Sequence, residues 1–229
     1  MSRFISVSAP KMPGEKETYH HGDLRRALLD AARQLAEERG IDGFTLREVA
    51  RRAGVSHAAP YHHFADKTAL VEALAIETYQ HLAQALQGAC DRRGGNALDR
   101  LGAIGIAYVE FAVEHPAEFR LLTRFQVCPP PSDSQTGQLI GTFALPPLEN
   151  AANDAYNVLI GTIQEGQEAK LVAEGDLESL ALTCWASVHG LAVLILDGLI
   201  GKKPAHAQMQ VSELAAIVVE TLAKGLEAR

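Results

Sequence analysis

Apolar residues recur along this chain at the three- and four-residue spacing of a helix, and no stretch alternates with a clear strand period. Leu24, Leu28, Ala31 and Leu35 step round one face and predict a first helix that starts at Gly22 and Asp23 and ends at Gly40. Leu46, Val49, Ala50 and Ala53 predict a second, and a third runs from Ser56 to Phe64. A long helix from Asp66 to about Ala89 follows, with Leu70, Ala73, Leu74, Leu82 and Leu86 on its apolar side. Leu101, Ile104, Tyr108, Phe111 and Ala112 predict the next, from Ala97 to His115, which Pro116 stops. A short helix carries Phe119, Leu121, Leu122 and Phe125. The run from Cys128 to Gln138, rich in proline and small polar residues, reads as a loop. Helices over Pro147 to Val172, Leu180 to Ile200 and Val211 to Leu226 complete the chain. The expected fold class is all-α.

The local chemistry is richest between Thr45 and Leu70. Thr45 can N-cap the second helix, and Glu48 three residues on completes a capping box. Gly54 stands where a left-handed C-cap is wanted, with Val55 beneath the turn, and Ser56 caps the helix that follows. Two short helices joined by a tight Gly-containing turn form a helix-turn-helix, whose second helix would enter a DNA major groove. Ser56, His57 and His62 carry donors and acceptors for base edges, and Ala58 and Ala59 allow close approach and contact with a thymine methyl. Thr45, Arg47, Tyr61 and Lys67 are types that hold phosphate, which sets register rather than sequence choice. The competing reading is a helix-turn-helix that only packs, with His57, His62 and His63 as ordinary histidines.

Thr45, Val49, Ala50, Ala53-Gly54-Val55-Ser56, Tyr61, His63-Phe64 and Lys67 together resemble the DNA-binding domain of the TetR family of transcriptional regulators, over Asp23 to about Leu74. One slot departs: Pro60 stands where Leu or Ile is usual, and a proline there removes a backbone bond and tightens the helix start toward 3₁₀ geometry. The resemblance implies a three-helix DNA-binding domain over 21–68, after an N-terminal arm over 1–20. A larger helical effector-binding and dimerisation domain would occupy 69–229. It also implies a homodimer whose last two long helices pair as a four-helix bundle, an inverted-repeat operator, and repression relieved by a small molecule. Trp185 to Gly190 is similar to the Trp…His-Gly signature of one subgroup. Tyr108, Phe111, Phe119, Phe125, Tyr156, Trp185 and His189 are the candidates to line an effector pocket, and each serves equally as ordinary core.

Charge divides the chain in a way that suits this reading. The net charge is −7, but residues 1–70 hold eleven Lys and Arg against nine Asp and Glu, together with five of the nine histidines. A basic head on an acidic body is expected where one end meets a polyanion. The three cysteines, Cys90, Cys128 and Cys184, form no CxxC pair, which favours a reducing cytoplasm. Leu180 to Ile200 is long enough to span a bilayer, yet a soluble composition around it points to burial in protein, so no membrane partner is expected. His20 and His21 lack a third ligand for a metal. No catalytic signature such as GxSxG, HExxH or GxGxxG occurs, and no cofactor is implied. The alternative to a regulator is an all-α small-molecule-binding protein or enzyme in which the helix-turn-helix is scaffold.

Overall fold

The computed structural model describes residues 21–126, 146–200 and 208–227, and the side chains of 21–23 and 123–126 lie outside that description. So do the arm over 1–20, Cys128 and the expected loop up to Gln138. The described residues form eight α-helices: α1 (His21–Arg39), α2 (Leu46–Arg52), α3 (Lys67–Arg93), α4 (Ala97–Glu114), α5 (Pro116–Gln126), α6 (Pro146–Glu168), α7 (Leu177–Leu196) and α8 (Val211–Leu226). They contain no strand, only an isolated antiparallel bridge between Val172 and Glu227.

The first three helices close a small head. Leu28, Leu35, Phe44, Leu46, Val49, Phe64, Leu70 and Leu74 are all buried in it. Arg25 lies over the Phe64 ring at 5.6 Å and the Lys67 ammonium over Phe44 at 4.6 Å, so two cations cover the rims of the aromatic core. The body surrounds α4, which packs against α3, α6, α7 and α8. Gly105 lets α8 come close: a Cβ there would stand 2.7 Å from a Val219 methyl and 3.3 Å from one of Val188. A Cβ at Gly190 on α7, by contrast, would meet nothing within 4 Å among the described residues. Helix α7 is long and apolar enough to cross a membrane, but it lies against α4, α6 and α8.

Head and body share one continuous core. Helix α3 belongs to both, and α1 meets α5 beside it. At that junction Glu118 of α5 is only 5% exposed. Its Oε1 pairs with Arg33 Nε of α1 at 2.8 Å, without hydrogen-bond alignment, and its Oε2 accepts from Thr78 Oγ1 of α3 at 3.4 Å. Arg33 also reaches Glu77 of α3 at 3.1 Å and Asp30 at 2.8 Å. A carboxylate this buried is tolerable because a guanidinium faces it, and removing it leaves that guanidinium poorly compensated. Glu118→Ala should therefore lower unfolding stability by about 2 kcal/mol, tempered by the acids Arg33 retains. Asp30→Ala, exposed on the same arginine, should cost under about 1 kcal/mol. Denaturant midpoints of the two variants check this; equal losses would show that the buried pair is unimportant.

Candidate nucleic-acid interface and body cavity

The helix-turn-helix is built by the capping chemistry of its sequence. The Thr45 N–H donates to Glu48 Oε2 at 2.9 Å, and the Glu48 N–H donates to Thr45 Oγ1 at 3.3 Å, closing the box. The Thr45 bonds, with Arg39 nearby, hold the Glu48 carboxyl below its usual range. Helix α2 then stops in a Schellman arrangement. Gly54 takes φ 71°, its N–H donates to the Arg51 carbonyl at 3.2 Å, and the Val55 N–H donates to the Ala50 carbonyl at 3.0 Å. Gly54 tolerates this left-handed backbone where a side chain would be strained.

The next element departs from expectation. In place of a helix from Ser56 to Phe64, a single 3₁₀ turn spans Ala59–His62, and no side chain caps it. The cause is Pro60, which has no N–H to close a bond back to Ser56. Three-residue bonds take over, from Ala59 N–H to the Ser56 carbonyl at 3.0 Å and from Tyr61 N–H to the Ala58 carbonyl at 3.2 Å. Pro60 itself is buried. Around it Ser56, His57, Ala58 and His62 are exposed, Tyr61 is 55% exposed, and Ala59 and His63 are half-buried. Thr45 and Arg47 are exposed at the start of α2, and Lys67 is half-buried over Phe44. All nine candidates for DNA contact thus lie on or beside one short segment, none of them in the core. Other head cations are committed elsewhere: Arg52 forks onto Glu38 at 2.8 and 2.7 Å, and Arg39 pairs with Glu48 at 3.0 Å. Arg51, exposed on α2, is a further cation on the head that the sequence reading did not single out.

The body holds a cavity of about 370 Å³, within the range of small-molecule sites. Tyr79, Leu82 and Leu86 of α3 form one wall, and Leu101, Ile104, Gly105 and Tyr108 of α4 another. Leu148, Glu149, Asn153 and Tyr156 come from α6, Cys184, Trp185 and Val188 from α7, and Val219, Leu222 and Leu226 from α8. Of the seven pocket candidates, Tyr108, Tyr156 and Trp185 stand on this lining. Phe111, Phe119 and His189 are not among the lining residues, and the Phe125 side chain lies outside the described residues. His189 stands behind Tyr108: its Nδ1 is 2.9 Å from the Tyr108 hydroxyl, which also accepts from Trp185 Nε1 at 3.2 Å. Phe119 closes the same cluster, edge-on to Tyr108 with ring centroids 5.7 Å apart. The aliphatic lining was indistinguishable from core in the sequence, because a wall and a packed face use the same residues at the same spacing. The glycines at 102 and 105, three apart on α4, are the one signal that could have marked it.

The head matches the family model for bacterial regulatory proteins of the tetR family over residues 28–74, and the body matches that for the tetracyclin repressor-like C-terminal domain over residues 101–222. The chain belongs to the TetR family. It is similar to the class D tetracycline repressor protein of Escherichia coli, 43% identical over 53 residues, which are 23% of this chain and 24% of that repressor. The match thus spans about a quarter of the length of that curated relative. Among solved structures, a protein of unknown function from Rhodococcus sp. RHA1 is 32% identical, with a TM-score of 0.78 over 93% of this chain and all of that one. The regulator FadR of Bacillus subtilis, solved in complex with stearoyl-CoA, shares the fold at 15% identity, with a TM-score of 0.63 over 88% of this chain and 99% of that one. This TetR-family chain therefore has the fold of a DNA-binding transcription regulator, in a family whose members are regulators rather than enzymes.

Burial decides the protonation of the polar cluster at the cavity's edge. It lowers the His189 imidazole below its ordinary value and raises the Tyr108 phenol above its own. His189 thus stays neutral in the fold at pH values where the unfolded chain, near its usual pKa of about 6.5, already takes up a proton. Between those two values the unfolded state binds more protons, so stability rises with pH. The His189 ring resonance should titrate below pH 6.5 in NMR, and its share of stability should fade as pH drops through 6.5 toward that value. A midpoint at or above 6.5 would overturn the assignment.

Proposed function

We propose that the chain is a ligand-responsive transcriptional regulator of the cytoplasm that binds an inverted-repeat operator as a homodimer and represses until a small apolar or aromatic effector releases it. We infer two working parts, a DNA-binding head over 21–68 and an effector-binding and dimerisation body over 69–229. The observation that carries this reading is the double membership of α3. Leu70 and Leu74 pack in the head, and Tyr79, Leu82 and Leu86 on the same helix wall the body cavity. An effector that prefers one placement of α3 would bias the spacing of two heads by its differential affinity, typically ~1–3 kcal/mol.

The dimer is supported by the outer face of the last two helices. Leu182, Ala186, Gly190 and Leu194 form an i, i+4, i+8, i+12 stripe on α7, where Leu182 is 55% and Leu194 41% exposed, and Ile217 on α8 is 49% exposed. Small residues in the middle of an apolar stripe suit the close approach of a partner helix. The open space at Gly190 would be filled by that partner. Gly190→Arg should convert a dimer to a monomer in analytical ultracentrifugation while the helical circular dichroism is kept; a dimer unaffected by the arginine would place the interface elsewhere.

A selection of duplexes from a random pool tests the DNA reading. It should enrich an inverted repeat whose half-sites lie about 34–36 Å apart, and log K should fall with log salt by about 0.9 per phosphate contacted. Tyr61→Phe and Lys67→Ala should weaken all duplexes alike, whereas His57→Ala or His62→Ala should change sequence preference. No enrichment by the folded protein would favour the scaffold alternative. Preference unmoved in both histidine variants would remove base reading from this turn.

A further inference from the structure

The hydroxyls that line the cavity have their protons engaged, and the one charged side chain among the described lining residues is acidic. Trp185 Nε1 has only a hydrogen to offer, so the Tyr108 oxygen accepts it. Between Tyr108 and His189 the phenol is the stronger acid and the imidazole nitrogen the stronger base, so the hydroxyl donates to Nδ1. The Tyr108 proton is then spent, and only a lone pair remains for anything in the cavity. Tyr156 is in the same position, because its hydroxyl donates to the Glu178 carboxylate at 3.2 Å. The rim carries Glu149, an acceptor with a negative charge, and Asn153, a neutral amide that donates as well as accepts, while the protonated Cys184 thiol adds only a weak donor. No Lys, Arg or His stands among the described lining residues. The start of α6 gives an anion little help either, since Pro146 and Pro147 supply no N–H and Glu149 occupies the first turn.

Resting on the reading of the body as an effector site, we infer that the effector is an apolar molecule bearing a hydrogen-bond donor and no negative charge, an alcohol, phenol or amine rather than a carboxylate or phosphate ester. An anion entering this cavity would lose its water, meet Glu149, and find no cation among the described lining residues. A hydroxyl or ammonium finds acceptors at Tyr108 and at the rim. The stearoyl-CoA held by the Bacillus subtilis FadR is therefore the wrong chemistry for this lining, although the two proteins share a fold.

The test compares three probes with the same ten-carbon chain, 1-decanol, decylamine and decanoate, on the full chain at pH 7.5, below their micelle thresholds. Calorimetry measures affinity, and the emission of Trp185, the chain's one tryptophan, reports entry into the cavity. Decanol and decylamine should bind and shift the emission, with decanoate weaker by more than about tenfold. Because Glu149 is exposed on the rim, its variants should fold. Glu149→Lys should strengthen decanoate and weaken decylamine, and Glu149→Gln should remove the advantage of the amine over the alcohol. Decanoate binding as tightly as decanol, or a preference unmoved by Glu149→Lys, overturns the inference. If none of the three binds the folded protein, the effector reading falls and takes this one with it. Binding with the expected preference that fails to release DNA leaves the ligand class standing and removes only the regulatory role.

Discussion

The two halves of the molecule hang on one helix. Helix α3 runs 27 residues, and at 1.5 Å per residue the sixteen steps from Leu70 in the head to Leu86 at the cavity cover about 24 Å. Its upper end packs in the head and its lower half walls the cavity, so one continuous helix reaches both. Where head and body meet, Glu118 approaches from α5 and Arg33 from α1, with Thr78 and Glu77 of α3 between them. That junction ties three elements at one buried carboxylate, so the head cannot turn on α3 without disturbing an ion pair that is costly to break.

On the DNA side, Pro60 replaces an expected helix with one 3₁₀ turn, but it leaves the exposed residues on the outer face. In the turn Pro60 is buried, and so is Phe64 after it, while His57, Tyr61 and His62 point away from the core. Capping at Thr45 and the left-handed Gly54 fix the angle at which α2 hands over to it. The positive charge available there is modest, since Arg39 and Arg52 are engaged with Glu48 and Glu38.

On the body side, burial both creates the cavity and silences its polar groups. The Tyr108 hydroxyl is held between Trp185 and His189, and burial pushes the Cys184 thiol up, which keeps it protonated. Among the described lining residues Glu149 at the rim is the only charged side chain, and the rest of the wall is apolar or neutral.

Much of this was already legible in the sequence. The helical periodicity gave the order of the helices, with ends within a few residues; of the nine it predicted, eight stand as α-helices and the one from Ser56 to Phe64 is a 3₁₀ turn. Thr45 with Glu48, and Gly54 with Val55, announced the cap and turn, because such bonds join neighbours in the chain. Pro60 announced a tightened start, and in a segment this short the bond it removes leaves a 3₁₀ turn and no α-helix. What only the tertiary structure decided are the relations between distant residues. Arg33 and Glu118 lie 85 positions apart and carry no local pattern. Tyr108 and Trp185 were singled out as pocket candidates, but so were Phe111 and Phe119, which do not line the cavity. An aromatic on the inner face of a helix reads the same whether a neighbour fills the space before it or leaves it empty. That depends on how α4 sits against α7 and α8, which the short side of Gly105 allows and no one-dimensional pattern records.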